Sequence, residues 1–95
     1  MSLVFEWDPR KARANLLKHR VSFAEAASVF SDPLARIFED EFHSADEPRE
    51  IILGHSRARR LLLVCFTEWK IGRVRIISAR RATRKELHDY EEPKN

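Results

Sequence analysis

Between His55 and Lys85 the sequence places eight arginines and two lysines against a single acid, Glu68. A second cationic stretch, Pro9 to Arg20, carries Arg10, Lys11, Arg13, Lys18 and Arg20 and no acid. The planar donor fork of arginine matches two phosphate oxygens at once, whereas lysine meets them as a point charge. Two histidines, His19 and His55, lie in or beside these stretches, and histidine is the side chain that changes charge near neutral pH. Such a set suits chemistry on a phosphodiester. An RNA strand is cut without a metal when its own 2′-hydroxyl attacks the adjacent phosphate. A protein then has to take the 2′ proton, stabilise charge on the phosphorane and protonate the leaving 5′ oxygen. Arginine and lysine clamps serve the second task, which usually contributes most to the rate. His, Lys or Tyr serve the proton transfers when neighbouring cations move their pKa towards working pH.

Arg80 is the leading catalytic candidate, because it ends a strand whose Val74 and Ile76 read as core, and a rigid element aims its guanidinium. The competing reading is a solvated arginine or a salt bridge to Glu86. Lys18 and His19 come next, at the end of a helix, where a histidine can also simply cap carbonyls. His55 is the fourth proton-transfer candidate. Arg57, Arg59 and Arg60 beside it, with Arg75, Arg81 and Arg84, are expected to bind RNA phosphates. Trp69 and Lys70, read as part of a turn over residues 67–70, offer a stacking face and a charge. Trp7 and Tyr90 read as packing residues, and His88 as solvated. The acids collect from Glu39 to Glu50; Glu39, Asp40, Glu41, His43, Asp46 and Glu47 match no metal-ligand spacing and read as a charged loop. No metal and no cofactor is expected.

The elements that must position these groups are legible as patterns. Leu3 to Trp7 is a short strand. Asp8-Pro9 opens a helix to about His19, with Ala12, Leu16 and Leu17 as its inner face. Ser22-Phe23-Ala24-Glu25 reads as a capping box, followed by the stripe Phe23, Ala26, Ala27 and Phe30, ended by Asp32-Pro33. Strands follow at about 35–40, 50–55, 60–67 and 73–79. The run Leu61 to Phe66 is apolar on both alternations and reads as a central strand covered on both faces. Thr83-Arg84-Lys85-Glu86 is a second capping box and opens a last helix with Leu87 and Tyr90. The order strand, two helices, four strands, helix implies an α+β fold with a mostly antiparallel sheet and the helices on one face.

The 95 residues carry a net charge of +3 and are expected to form one domain over residues 1–95, with a frayed tail over 91–95. No apolar run reaches the roughly 20 residues that span a bilayer. No secretory leader is read at the N-terminus, and the single cysteine, Cys65, sits in an apolar run, which together suggest a cytoplasmic setting.

Phe5-x-Trp7-Asp8-Pro9-x-Lys11, Asn15-x-x-Lys18-His19, Ser22-Phe23-x-Glu25-Ala26 and Val29-Phe30-x-Asp32-Pro33 occur in the order seen in BrnT proteins. Arg49 with Gly54, then Arg75-Ile76-Ile77-Ser78-Ala79-Arg80-x-Ala82, Glu86 and Tyr90 continue the match from Phe5 to Tyr90. The sequence thus resembles the BrnT toxins of type II toxin–antitoxin pairs. That resemblance implies a RelE-like fold, RNA cleavage that stops translation, and mRNA as target, on or off the ribosome. It also implies a DNA-binding BrnA-like antitoxin, an operator-binding complex, and a dimer or a heterotetramer with the antitoxin. The sequence departs from the family at Arg20, where glycine usually follows Lys-His and would suit a helix end of positive φ. The residues by themselves leave three readings open: a metal-independent ribonuclease, a non-catalytic nucleic-acid-binding module, and an interaction subunit whose basic face receives an acidic antitoxin segment.

Overall fold

The structure is a computed structural model and describes residues 2–40 and 48–92. Glu41, His43, Asp46 and Glu47 of the acidic stretch lie outside the described residues. The elements are β1 (Val4–Glu6), α1 (Pro9–His19), α2 (Phe23–Ser28), a 3₁₀ turn (Val29–Ser31), β2 (Arg36–Glu39), β3 (Glu50–His55), β4 (Leu61–Lys70), β5 (Arg73–Arg81) and α3 (Arg84–Glu91). They form one five-stranded sheet in the order β1-β5-β4-β3-β2, with β4 at its centre. The strands from β2 to β5 are an antiparallel meander, and β1 adds to β5 in parallel. This is the expected α+β order.

One face of the sheet carries the core. Ile52, Leu62, Val64, Phe66, Val74 and Ile76 meet Val21, Phe23, Ala26 and Val29 from the helical layer, all nearly or wholly buried. Rings complete the seam: Phe30 lies 5.1 Å from Phe5 and 4.9 Å from Phe66, and Trp7 sits edge-on to Phe23 at 5.9 Å. Each fully buried large apolar side chain contributes about 1.5–3 kcal/mol. The opposite face of β4 is less covered than expected. Leu63 and Cys65 there are half-buried and floor the recesses described below.

Local sequence explains most helix ends. Asp8 accepts from the Arg10 N–H at 2.8 Å and Pro9 takes the first helical position, so α1 starts as read. Its buried face differs from the expected one. Leu16 and Leu17 are 48% and 77% exposed, whereas Asn15 is buried. The cause is β5, which runs beyond the short β1 and leaves peptide groups at Ala79 without a strand partner. Asn15 Nδ2 donates to the Ala79 and Val21 carbonyls at 2.8 and 3.0 Å, and the Ala79 N–H donates to Asn15 Oδ1 at 3.1 Å. An unpaired buried peptide group costs more than a lost apolar contact at the rim, so an amide wins the position.

α1 ends at Arg20, which takes φ 60° and ψ 31° with its N–H donating to the Leu16 carbonyl at 2.9 Å. Arginine thus adopts the left-handed turn that glycine would occupy without steric cost. In α2, Ser22 caps the Glu25 N–H at 3.0 Å, but the Glu25 carboxylate turns to Ser56 and Arg60 instead of closing the box. The second helix also tightens to 3₁₀ at Val29, before the expected Phe30. β4 continues to Lys70, so Trp69 lies in the strand and the turn falls at Ile71-Gly72, where Gly72 has φ 81°. The capping box of α3 is complete.

Candidate active site

β5 carries Arg80 onto the open face of the sheet, in register with Leu63 of β4. The Asn15 clasp on Ala79 fixes the last turn of α1 beside it. Lys18, His19 and Arg80 thereby share one recess of about 390 Å³, floored by Ile51, Leu63 and Ile77. Three of the four catalytic candidates are brought together by that one clasp.

Arg80 is not simply solvated. Its two terminal nitrogens donate to the two Glu86 carboxylate oxygens at 2.9 and 3.0 Å, and one also reaches the Arg81 carbonyl at 3.2 Å. Glu86 is held down to a pKa of about 2, first by the Arg80 hydrogen bonds, which outweigh the opposing effect of burial, and then by the Thr83 N–H and the Arg80 charge. The bond to Glu86 likewise raises the Arg80 pKa. The Arg80 side chain remains 42% exposed, so the guanidinium still faces solvent at the recess. Glu86 also occupies the first turn of α3 and accepts from the Thr83 N–H at 2.7 Å. A carboxylate thus already sits at the positive end of that helix, where Arg84 alone would invite an anion.

His55, the fourth candidate, is elsewhere. It lines a second recess of about 320 Å³ with Arg59, Arg60, Arg81 and Glu91. Its ring stands edge-on to Tyr90 at 5.6 Å, with Nδ1 3.8 Å from Asp32 Oδ2. The same Asp32 oxygen accepts from the His55 N–H at 2.7 Å, and hydrogen bonds from His55 and Leu34 depress the Asp32 pKa. Gly54 permits this approach: a Cβ there would stand 2.8 Å from Ala35 Cβ and 3.0 Å from Asp32 Oδ2.

The RNA-binding candidates divide into three groups. Arg59 and Arg81 are exposed at the second recess, and Arg57 and Arg84 are exposed on the adjoining surface. Arg59 takes φ 63° at the tip of the turn between β3 and β4. Arg60 is committed within the fold: it pairs with Glu25 through two nitrogens and donates to the Arg20 carbonyl at 3.0 Å. Arg75, Trp69 and Lys70 belong to the other end of the sheet. Trp69 is six residues along β4 from Leu63, about 20 Å at strand rise. Arg75 pairs there with Glu6 at 3.4 Å and lies 6.0 Å from the Trp69 ring centre.

Sequence reasoning missed the far wall of the first recess, formed by Asp40, Arg49 and Cys65. By sequence Asp40 groups with the charged loop, yet it is 8% exposed, with its N–H donating to the Arg49 carbonyl at 2.9 Å. The Cys65 thiol donates to Asp40 Oδ2 at 3.7 Å, and burial, then Asp40, push its pKa up to about 11. The available signal is positional: Asp40 directly follows β2, and Arg49 directly precedes β3.

A third hollow adjoins the first through Leu63, between Arg36, Phe38, Glu86 and Tyr90. Tyr90 donates to the Leu34 carbonyl at 2.9 Å, and Arg36 lies 4.7 Å over its ring and donates to its carbonyl at 3.0 Å. These contacts tie α3 to the β2 side of the sheet.

Comparison with known proteins agrees with this fold. The family model described as ribonuclease toxin, BrnT, of type II toxin–antitoxin system matches residues 7–86. The 1.1 Å crystal structure of the Brucella abortus ribonuclease toxin BrnT resembles this structure with a TM-score of 0.65 at 26% identity. The likeness covers 88% of this chain and 99% of that one. Among curated proteins none matches. A five-stranded sheet with α1 and α2 packed on one face and a family match over most of the sequence lead to one conclusion: the chain belongs to the BrnT family of type II toxin–antitoxin ribonuclease toxins.

Proposed function

We propose that the protein cleaves RNA without a metal, through a site formed by Arg80, Lys18 and His19. The observation that carries this reading is the convergence of these three side chains, from α1 and β5, on one open recess. Arg80 is suited to hold the scissile phosphate and stabilise charge on the phosphorane, since three of its five donors engage Glu86 and the Arg81 carbonyl and the other two can turn to a substrate. Lys18 and His19 are the proton-transfer candidates that share its recess. The 2′-hydroxyl is an internal nucleophile, so the reaction needs charge stabilisation and proton transfer and no activated water. Arg59, Arg81 and His55 of the second recess extend the cationic surface and are assigned to neighbouring phosphates, with Arg57 and Arg84 beside them.

In the cell such cleavage stops translation in the cytoplasm, and a BrnA-like antitoxin neutralises it in a complex that binds operator DNA. Leu16 and Leu17, exposed on α1 next to Lys18, favour a protein partner: a segment that covers them also screens the recess. The test is expression of wild type and Arg80→Ala from one promoter in bacteria, with growth and mRNA integrity followed together. Wild type arrests growth and fragments mRNA, and the variant does neither. An Arg80→Ala protein that still arrests growth refutes the site.

A further inference from the structure

The open face of the sheet continues past the first recess. Along β5, exposed Arg73 and Arg75 alternate with buried Val74 and Ile76, while Ser78 and Arg80 flank buried Ala79. β5 carries one extra residue opposite the step from Cys65 to Phe66, so Ser78 and Arg80 face the same way as Arg75. Three arginines thus stand on one side of one strand. At the far end Trp69 is 47% exposed, with the Arg75 guanidinium 6.0 Å from its ring centre. Glu6, the register partner of Arg75 on β1, holds that guanidinium at 3.4 Å. At this outer limit of cation–π range the arginine flanks the indole without sealing it. Lys70 and Arg73, register partners of each other, add positive charge. The acids nearby are engaged, Glu6 by Arg75 and Glu68 by the Gly72 N–H at 2.9 Å.

An open aromatic face among cations, in line with a row of arginines, suits a single strand of nucleic acid. Every base has a π-face to stack, and the phosphates between bases meet the cations. The charge beside the ring favours a polyanion over a protein surface, whose central contacts are poor in charge. From Arg80 to Arg75 the strand runs about 15 Å. That distance holds about four stacked nucleotides at about 3.4 Å each, and fewer when the strand is drawn out. We propose that Trp69 and Arg75 form a base-stacking subsite for single-stranded RNA, a few nucleotides from the cut and reached along β5. The proposal rests on the ribonuclease reading for the phosphate at Arg80. It adds the path of the strand across the sheet and a length below which a substrate binds poorly.

The test uses 2′-O-methyl oligonucleotides of two, four, six and eight residues, which lack the nucleophile and so report binding alone. Their affinities are measured by fluorescence anisotropy for wild type, Trp69→Ala and Trp69→Phe, with circular dichroism to verify folding. Loss of one base stacked on an aromatic ring lowers affinity about tenfold. Wild type and Trp69→Ala should therefore bind the dinucleotide alike, and wild type should bind the longer strands about tenfold more tightly. Trp69→Phe, which keeps a ring, should retain most of that gain. A single abasic residue moved along the eight-residue strand should weaken wild type at a position to which Trp69→Ala is indifferent. Equal affinity of wild type and Trp69→Ala at every length overturns the subsite and leaves Trp69 to a protein partner. Should Trp69→Ala fail to fold, the abasic scan in wild type decides, and a scan with no sensitive position overturns the subsite. Cleavage of unmethylated RNA is followed in parallel. Cleavage without the length-dependent gain overturns the subsite and leaves the ribonuclease standing, and the gain without cleavage does the reverse.

Discussion

Arg80 and Glu86 face each other across the turn between β5 and α3 as a two-point pair, at 2.9 and 3.0 Å. The pair aims the guanidinium at the recess and fastens a helix that has no buried residue of its own. Glu86 completes the α3 capping box as well, so one carboxylate serves both the helix start and the arginine.

This pairing predicts an acid transition local to α3. The Glu86 pKa falls from 4.5 to about 2 in the folded protein. A depressed carboxylate contributes stability above its unfolded pKa, and that contribution is lost as pH falls through the folded value. The attachment of α3 is therefore complete above about pH 4.5 and fades towards about pH 2. Both side chains are partly exposed, 42% and 31%, so solvent screens the pair and the effect is modest. Tyr90, the single tyrosine, sits on α3 against His55 and reports it. Its ring resonances should move through this range in wild type and lose the pH dependence in Glu86→Gln.

Asn15 predicts a larger loss. Asn15→Ala removes the bonds to Ala79 and Val21 and leaves buried peptide groups unpaired, at about 1–3 kcal/mol for each group affected. We expect a loss of about 3 kcal/mol in urea unfolding. Weakened RNA cleavage should accompany it, because the clasp also places Lys18 and His19. Asn15→Leu, which restores apolar volume but no hydrogen bond, should not recover either property.

Arg20 predicts a gain. A non-glycine residue in the left-handed region pays about 1–2 kcal/mol. Arg20→Gly relieves this, offset in part by the greater freedom of glycine in the unfolded chain. Net stabilisation of about 0.5–1 kcal/mol in thermal melts is expected. The Arg20 carbonyl, which Arg60 uses, is kept in the variant.

What can be read in the sequence, and what cannot, follows from the range of each interaction. Asp8-Pro9, Ser22 and Thr83 act within one helical turn, so the helix starts are legible from neighbouring residues. The Leu61 to Phe66 run marks the central strand because its apolar content does not depend on partners. Arg80 and Lys18-His19 stand out by residue type, with Glu86 already foreseeable as the alternative partner of Arg80. Asn15 escapes a sequence reading because its burial depends on a strand edge 64 residues away. Glu25 reads as closing its own cap, but Arg60, 35 residues away, offers a stronger charged partner. Asp40 groups with its acidic neighbours by sequence because its contact with Cys65 exists only once β2, β3 and β4 are in register.

A metal-independent site centred on Arg80 is tested most directly by cleavage of purified RNA by the isolated protein in excess EDTA, wild type beside Arg80→Ala. Removing a half-exposed arginine should change stability by no more than about 1 kcal/mol, so folded protein is available for both arms. Wild type should cut with EDTA present, and Arg80→Ala should not. Cleavage that stops on adding EDTA, or that continues unchanged in Arg80→Ala, would contradict a metal-independent ribonuclease centred on Arg80.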